Sequence, residues 1–518
     1  MSIKYVRKSK HNRLLWAVIA SICFFSANSS AQWYGYTLLQ KYGVGPYDMF
    51  GWSVAGGGDV NGDGISDFII GSINAENIFP GNGFGRGVAY VYSGADSSLL
   101  YKKDRIQDYL GASVAIVGDV NGDGRDDFLI GVPFADPGGF NNTGSAYLFS
   151  GIDGSLLFQE NGATVGDQLG HSVAGAGDVN GDGIPDFIIG APDDCPLCGP
   201  GSVYVYSGSD GSLLYQKNGA AMGDAFGMSV ASAGDVNNDG SADFIIGAPY
   251  ANPGGFYRAG SVFLYSGADG TLLYQKNGTL ADGATAGDYL GYSVASAGDV
   301  NGDDRPDFLI GAPNASPGGL TGAGSVYLFS GADGSLLYQK EGSETFGQFG
   351  SSVSTAGDAN GDGIVDFMLG ARLSDPGGLT DAGSAFLYSG ADGSLLFQAN
   401  GTVSGARLGQ SVAAVGDING DGRTEFIIGA PSDSTGSSFN WAGTARIYSL
   451  QSCSATRGDM NASGSLTPAD VILMLNCLFL VSGACDLCIS DVNCSGELSL
   501  ADIVVELNSV FLGVAAPC

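Results

Sequence analysis

Histidine is nearly missing from this chain of 518 residues: only His11 and His171 occur. Lysine and arginine together number 21 against 53 acidic residues, for a formal charge of −32. Such a field repels nucleic acid and anionic lipid, and both are excluded as partners. With so little imidazole, the commonest general base at neutral pH is scarce. The chain also has no Gly-x-Ser-x-Gly elbow, no phosphate loop, and no nucleophile beside an evident base. Past the first 25 residues no apolar run is long enough to span a bilayer, which excludes membrane insertion of the processed chain. Charged residues make up 14 %, and glycine is present 87 times, a composition at odds with a helical protein. Hydrophobic residues at 44 % and aromatics at 10 % are ample for a packed core, so disorder is excluded as well.

The N-terminal residues read as a secretory leader. Lys4, Arg7, Lys8, Lys10 and Arg13 precede a largely apolar run from Leu14 to Phe25, and Ser29 and Ala31 are the small residues a signal peptidase reads. Cleavage after Ala31 predicts a secreted or cell-surface protein whose charge is close to −37, five positive charges having been lost. It also removes Cys23 and leaves eight of nine cysteines, an even number expected to form disulfides in an exported chain. Six of them, Cys453, Cys477, Cys485, Cys488, Cys494 and Cys518, crowd the C-terminal end and mark a small stapled domain. Cys195 and Cys198 form a C-x-x-C read as a local disulfide, because two further soft ligands for zinc are not evident nearby.

Between these ends the chain repeats itself. The pattern Asp-x-Asn-x-Asp starts at Asp59, Asp119, Asp178, Asp235, Asp299, Asp358 and Asp417, at spacings of 60, 59, 57, 64, 59 and 59. Each copy opens on Phe-Gly or Leu-Gly, runs through a short strand into the acidic loop, and continues in a strand such as Asp186-Phe187-Ile188-Ile189-Gly190. Most copies then have Gly-Ala-Pro, a loop that often holds Pro-Gly-Gly, a third strand, a tight turn that is usually Asp-Gly, and a fourth strand. Four short antiparallel strands per copy predict an all-β, seven-bladed β-propeller over residues 32–452. The seventh copy lacks a fourth strand, and Tyr36-Thr37-Leu38-Leu39-Gln40 is expected to supply it; Thr37-Leu38-Leu39 matches Thr271-Leu272-Leu273. That exchange would close the ring and remove an exposed sheet edge. His171 occupies a position held in other copies by Trp52, Ala112, Met228, Tyr292, Ser351 and Gln410, so no role shared by all repeats resides there.

The acidic loops predict calcium sites. Oxygens at loop positions 1, 3, 5 and 9, with a backbone carbonyl at position 7, follow the first part of an EF-hand loop, and hard oxygen ligands suit calcium rather than zinc or copper. The sets are Asp59, Asn61, Asp63, Asp67; Asp119, Asn121, Asp123, Asp127; Asp178, Asn180, Asp182, Asp186; Asp235, Asn237, Asp239, Asp243; Asp299, Asn301, Asp303, Asp307; Asp358, Asn360, Asp362, Asp366; and Asp417, Asn419, Asp421, Glu425. The fifth loop departs by placing Asp304 where the others have glycine, and the seventh by ending in Glu425. Calcium is expected to be structural, relieving the repulsion among the carboxylates of each loop.

The Phe-Gly opening, the acidic loop and the Gly-Ala-Pro ending resemble the FG-GAP repeats of integrin α-subunit propellers. That resemblance covers about residues 33–450 and implies a seven-bladed propeller, calcium on one rim, and a role in binding or adhesion. A second pair of loops, Asp459, Asn461, Ser463, Asp470 and Asp491, Asn493, Ser495, Asp502, recurs at a spacing of 32, each leading into an apolar helical stretch. This pair resembles a type I dockerin, implying a small α-helical calcium-loop domain over residues 453–518 and a cohesin-like partner. Serine at the fifth loop position, Pro468-Ala469 and Leu500-Ala501 depart from that pattern and favour calcium binding over cohesin binding. The tripeptide Arg457-Gly458-Asp459 spells an adhesion motif, but Asp459 is accounted for as the first calcium ligand of its loop.

Strand alternation places the acidic loops and the tight turns between third and fourth strands on one rim. The opposite rim collects the loops between second and third strands and the connections between blades, which vary most between copies. It carries Phe79, Phe84, Phe134, Phe140, Tyr250, Phe256, Tyr257, Phe439 and Trp441 as aromatic candidates for docking an extracellular protein or glycan. The expectation is a non-enzymatic calcium-binding adhesion or binding module. Two other readings stay open: a carbohydrate-active component attached through the tail, with paired acids as catalysts, and a purely structural surface protein.

Overall fold

The computed structural model describes residues 33–75, 86–104, 109–139, 141–193, 199–278, 287–434 and 441–452. The leader, all nine cysteines, the tail with its two loops, and Phe79, Phe84, Phe140 and Phe439 lie outside the described residues.

Alternating apolar residues and frequent turn glycines give seven four-stranded sheets. In the third, Ser172–Gly177, Asp186–Ala191, Ser202–Tyr206 and Leu213–Asn218 pair antiparallel in chain order, with Val173 opposite Ile189, Ile189 opposite Tyr204, and Tyr204 opposite Gln216. A register shift between Gly175 and Gly177 leaves Ala176 unpaired and buried, bending the inner strand as it enters the acidic loop. The same shift recurs in the other six sheets, for example between Ser232 and Gly234 and between Ala414 and Gly416. Each second strand is buried along its whole length, whereas an outer strand such as Leu213–Asn218 exposes Leu213, Gln216 and Asn218.

Seven apolar clusters fill the spaces between consecutive blades. One joins Ile188, Val203 and Val205 of the third blade to Phe244 and Ile246 of the fourth; the last joins Ile427 and Ile447 of the seventh blade to Phe68 and Ile70 of the first, so the ring is closed. The phenylalanine at the second position of each blade's second strand is the centre of this packing. Phe244 stacks on Tyr265 of its own third strand at 5.6 Å and on Tyr215 of the preceding outer strand at 6.0 Å.

The repeated glycines have a shared cause. A Cβ on Gly247 of the fourth blade's second strand would lie 2.0 Å from the carbonyl oxygen of Gly291, which opens the next blade. The Ser229 hydroxyl of the same blade donates to that carbonyl at 2.8 Å. Equivalent serine-to-glycine bonds link every blade to its successor, ending with Ser411 to Gly51. Gly-Ala-Pro and Phe-Gly are thus two halves of one contact between blades.

Trp33–Tyr42 is the outer strand of the seventh sheet, beside Thr444–Ser452, as the missing fourth strand predicts. Its register differs by one residue from the Thr-Leu-Leu match. Lys41 donates to the carbonyl of Ser97 and lies over Tyr92, as Lys276 donates to Gly334 and lies over Phe329. Leu39, not Gln40, therefore takes the place of Tyr274, packing in the cluster around Phe68. Burial decides the register, because a slip of one would turn the apolar residues to the solvent face.

Candidate calcium loops and the opposite rim

Each acidic loop joins the inner strand to the buried second strand, and its shape is wound by its own side chains. In the third loop Asp178 accepts backbone N–H groups from Gly181 at 2.7 Å and Asp182 at 3.0 Å on one oxygen, and from Gly183 at 2.8 Å on the other. The Asn180 side-chain oxygen accepts from Asp182 N–H, and Asp182 accepts from Ile184 N–H, each at 2.9 Å. Gly181 and Gly183 sit at φ 75° and 84°, where glycine costs least. Asn180 and Asp182 are exposed, whereas Asp186 is fully buried and accepts N–H groups from Val179, Asn180 and Gly208. Position 9 thus ties the loop to the turn between the third and fourth strands. Ser209 of that turn also donates to Asp182 at 3.2 Å; the serines in this role, with Ser150, Ser266 and Ser330, carry no signal in the acidic motif itself.

The other loops share this design, and their departures explain themselves. Asp304 adopts φ 63° and donates its N–H to Asp299 at 2.8 Å, so the fifth loop keeps its turn with a non-glycine residue. In the fourth loop Asn238 holds φ 60° at the place of Gly181. Glu425 belongs to the one blade whose outer strand comes from elsewhere in the chain. It accepts from Ile418 N–H at 2.9 Å and from the Asn419 amide at 2.7 Å, and that amide also donates to Ser449. The longer side chain fits where the others have a turn glycine as donor.

Burial raises the position-9 carboxyls, with the N–H donors opposing it and the neighbouring loop carboxylates adding to it. Asp67, Asp127, Asp243 and Asp307 are pushed up to about 6, Asp366 and Glu425 to about 7, and Asp186 upward. Among the described residues no three acidic, histidine or cysteine side chains converge into a finished metal cage. What is preformed is the loop backbone, with oxygen donors of the type and order a hard cation takes. Asp459, Asn461, Ser463, Asp470, Asp491, Asn493, Ser495 and Asp502 lie outside the described residues.

On the opposite rim, loops between second and third strands are bonded to the connections that lead into the next blade. Phe226 N–H donates to Pro200 at 3.1 Å, Leu290 to Ala259 at 3.1 Å, and Phe50 to Ala442 at 3.1 Å. Four of these loops turn through Pro-Gly-Gly. Of the aromatic candidates, Phe256, Tyr257 and Trp441 are exposed. Phe134 packs against Tyr109 at 4.9 Å, and Tyr250 against Tyr289 at 5.2 Å, so these two are half-buried in their own loops. The Arg258 guanidinium lies over both Tyr250 and Tyr257, and Trp441 meets Tyr47 edge-on at 5.5 Å. Sequence reasoning missed Phe346, Met222 and Val165, which the connections between blades leave exposed. Arg258, Tyr289, Phe346 and Trp441 all have φ between 50° and 63°, a region that bulky side chains seldom occupy.

Comparison with known proteins agrees with this architecture. The FG-GAP repeat model matches residues 50–92, 110–149, 169–206, 226–265, 290–329 and 408–448. The sixth blade, outside those matches, folds as the others do but has Ala359 and Arg372 where most copies have valine and proline. Integrin alpha-V of Gallus gallus is 34 % identical over 216 residues, covering 39 % of this chain and 20 % of that protein. Integrin alpha-4 of Xenopus laevis is 31 % identical over 253 residues, 46 % of this chain and 23 % of that protein. Integrin alpha-5 of Xenopus laevis is 32 % identical over 216 residues, 39 % and 20 % respectively. The chain spans about a fifth of the length of these curated relatives. The described chain is a seven-bladed propeller in which six blades match the FG-GAP repeat, and it is similar to integrin alpha chains.

Proposed function

We propose that this protein is a secreted or cell-surface adhesion module that binds an extracellular protein or glycan on the rim opposite its acidic loops, with calcium in those loops as a structural ion. The observation that carries the reading is the contrast between the two rims. One repeats a single hydrogen-bonded loop seven times; the other differs from blade to blade and exposes Phe256, Tyr257 and Trp441 at 43 %, 60 % and 52 %. Aromatic anchors on a rigid scaffold are a usual recognition device. The integrin relatives support adhesion over catalysis. Residues 453–518 are proposed as a second calcium unit, on the strength of their paired loops, with a cohesin-like domain as its candidate partner.

Panels of glycans and extracellular proteins, screened together with turnover assays, test this. Binding without turnover is expected, and replacing Phe256, Tyr257 and Trp441 by alanine should weaken it at least tenfold while leaving calcium affinity unchanged. Turnover of a glycan, or binding lost only through changes in the acidic loops of a folded protein, would overturn the reading.

A further inference from the structure

The position of Asp193 varies between blades: Asn74, Tyr250, Asn314, Leu373 and Ser432 make the same backbone bond in theirs. Asp193 follows the second strand of the third blade, at φ 49°, with 9 % of its surface exposed. One side-chain oxygen, Oδ1, is buried with no hydrogen-bond partner. Its backbone N–H donates to the carbonyl of Asp167 at 3.3 Å. Asn74 of the first blade and Asn314 of the fifth make the same backbone bond, to Asp48 at 3.3 Å and Asp288 at 3.2 Å. Both asparagines then use the side-chain amide as a donor, to the carbonyls of Tyr47 at 2.9 Å and Gly287 at 3.0 Å, each one residue before the aspartate. In the third blade the residue one before Asp167 is Gly166.

A carboxylate has no hydrogen to offer there. The first and fifth blades have an amide donor at this position; the third has only acceptor oxygens, one of them buried without a partner, and burying an unpaired acceptor is costly. The Asp167 carboxylate stands nearby; its own oxygens already accept N–H groups from Ala163 and Thr164 and the Thr164 hydroxyl. The other Asp193 oxygen is packed close to Gly199, where a Cβ would come within 2.2 Å of it. Burial, reinforced by Asp167, pushes the Asp193 carboxyl up to about 6.

We propose that Asp193 anchors a small hard cation on the rim opposite the acidic loops, with the Gly166 carbonyl as a second oxygen ligand and the Asp167 charge as support. A cation would satisfy the unpaired Oδ1, a need that the donating amides of the first and fifth blades do not have. A bare ion suits the place better than a side chain of a partner, because the free oxygen has less than 1 Å² of accessible surface. This site is separate from the seven loops and does not depend on their occupancy.

Crystals of the full chain soaked in terbium, which takes the same oxygen ligands as calcium, test the assignment. An anomalous peak at bonding distance, about 2.3–2.6 Å from Asp193 Oδ1, is expected in the native protein and should be absent from Asp193→Asn. That variant restores the amide of the first and fifth blades, so it should fold, and in excess chelator it should melt higher than the native chain. Calcium should then stabilise the native chain more than the variant. No peak at Asp193 would overturn the proposal, as would an advantage of the variant that persists in saturating calcium and vanishes at pH 5, since a proton alone would then explain the site.

Discussion

Ser411 donates its hydroxyl to the carbonyl oxygen of Gly51 at 3.1 Å, joining residues 360 positions apart. Gly429 is packed against the same carbonyl, and a Cβ there would lie 2.1 Å from it. The ring closes on a contact with no room for a methyl group. Gly429→Ala is therefore expected to lose about 3 kcal/mol in urea denaturation, the upper part of the overpacking range. Gly183→Ala, where nothing lies within 4 Å but φ is 84°, should lose only about 1 kcal/mol. A loss at Gly429 no larger than that at Gly183 would show that the blade contact yields to a methyl group.

Chelation should lower the melting temperature markedly. With free calcium at about ten times the dissociation constant, each occupied loop adds about 1.4 kcal/mol. Seven loops would approach about 10 kcal/mol, comparable to the stability of a typical domain. A melting curve unmoved by excess chelator would refute a structural role for calcium.

Removing residues 33–42 should open the ring. The strand is held by Lys41 on Ser97 and by Trp33 beneath the Arg423 guanidinium, which also donates to the Leu450 carbonyl at 3.2 Å. Without it Thr444–Ser452 becomes an unpaired edge, and aggregation is expected in light scattering. A truncated chain that stays monomeric and equally stable would sink the closure model.

Lysines of five outer strands clasp the following blade, Lys41 of the seventh among them. Lys217 donates to the Gly270 carbonyl at 2.6 Å while lying over Tyr265 at 5.0 Å, and Lys103, Lys276 and Lys340 do the same in their blades. Glu160 and Ala399 occupy this position in the second and sixth blades. Lys217→Ala should cost about 1 kcal/mol, and Lys217→Met less, since its stem still covers the ring. Chemical denaturation of both variants separates the clasp from mere packing.

The period of the acidic loops and the alternation of apolar residues were enough to read seven blades, their strand order and the source of the last strand. The register of that strand was not legible, because Thr37-Leu38-Leu39 matches Thr271-Leu272-Leu273 letter for letter while the burial of Leu39 and the reach of Lys41 decide otherwise. The acidic positions of the loops were legible as a motif. Their anchoring was not: Ser209 and Gly208 lie more than twenty residues from Asp182 and Asp186 and meet them only through the hairpin. On the other rim, composition flagged Tyr250 and Phe256 alike, and only tertiary packing separates the half-buried ring from the exposed one. Asp193 reads as an ordinary loop acid until its place is compared with Asn74 and Asn314.

The shared seventh blade also sets a waiting time. Trp33–Tyr42 leaves the ribosome before its partner Thr444–Ser452, which follows roughly 400 residues later. At about 5–20 residues per second, that interval is about 20–80 s. Through it a ten-residue strand with Lys41 as its one charge has no neighbour, while the blades behind it complete themselves in order. Export before folding, or a chaperone that holds this segment, would spare the cell a long-lived sticky end.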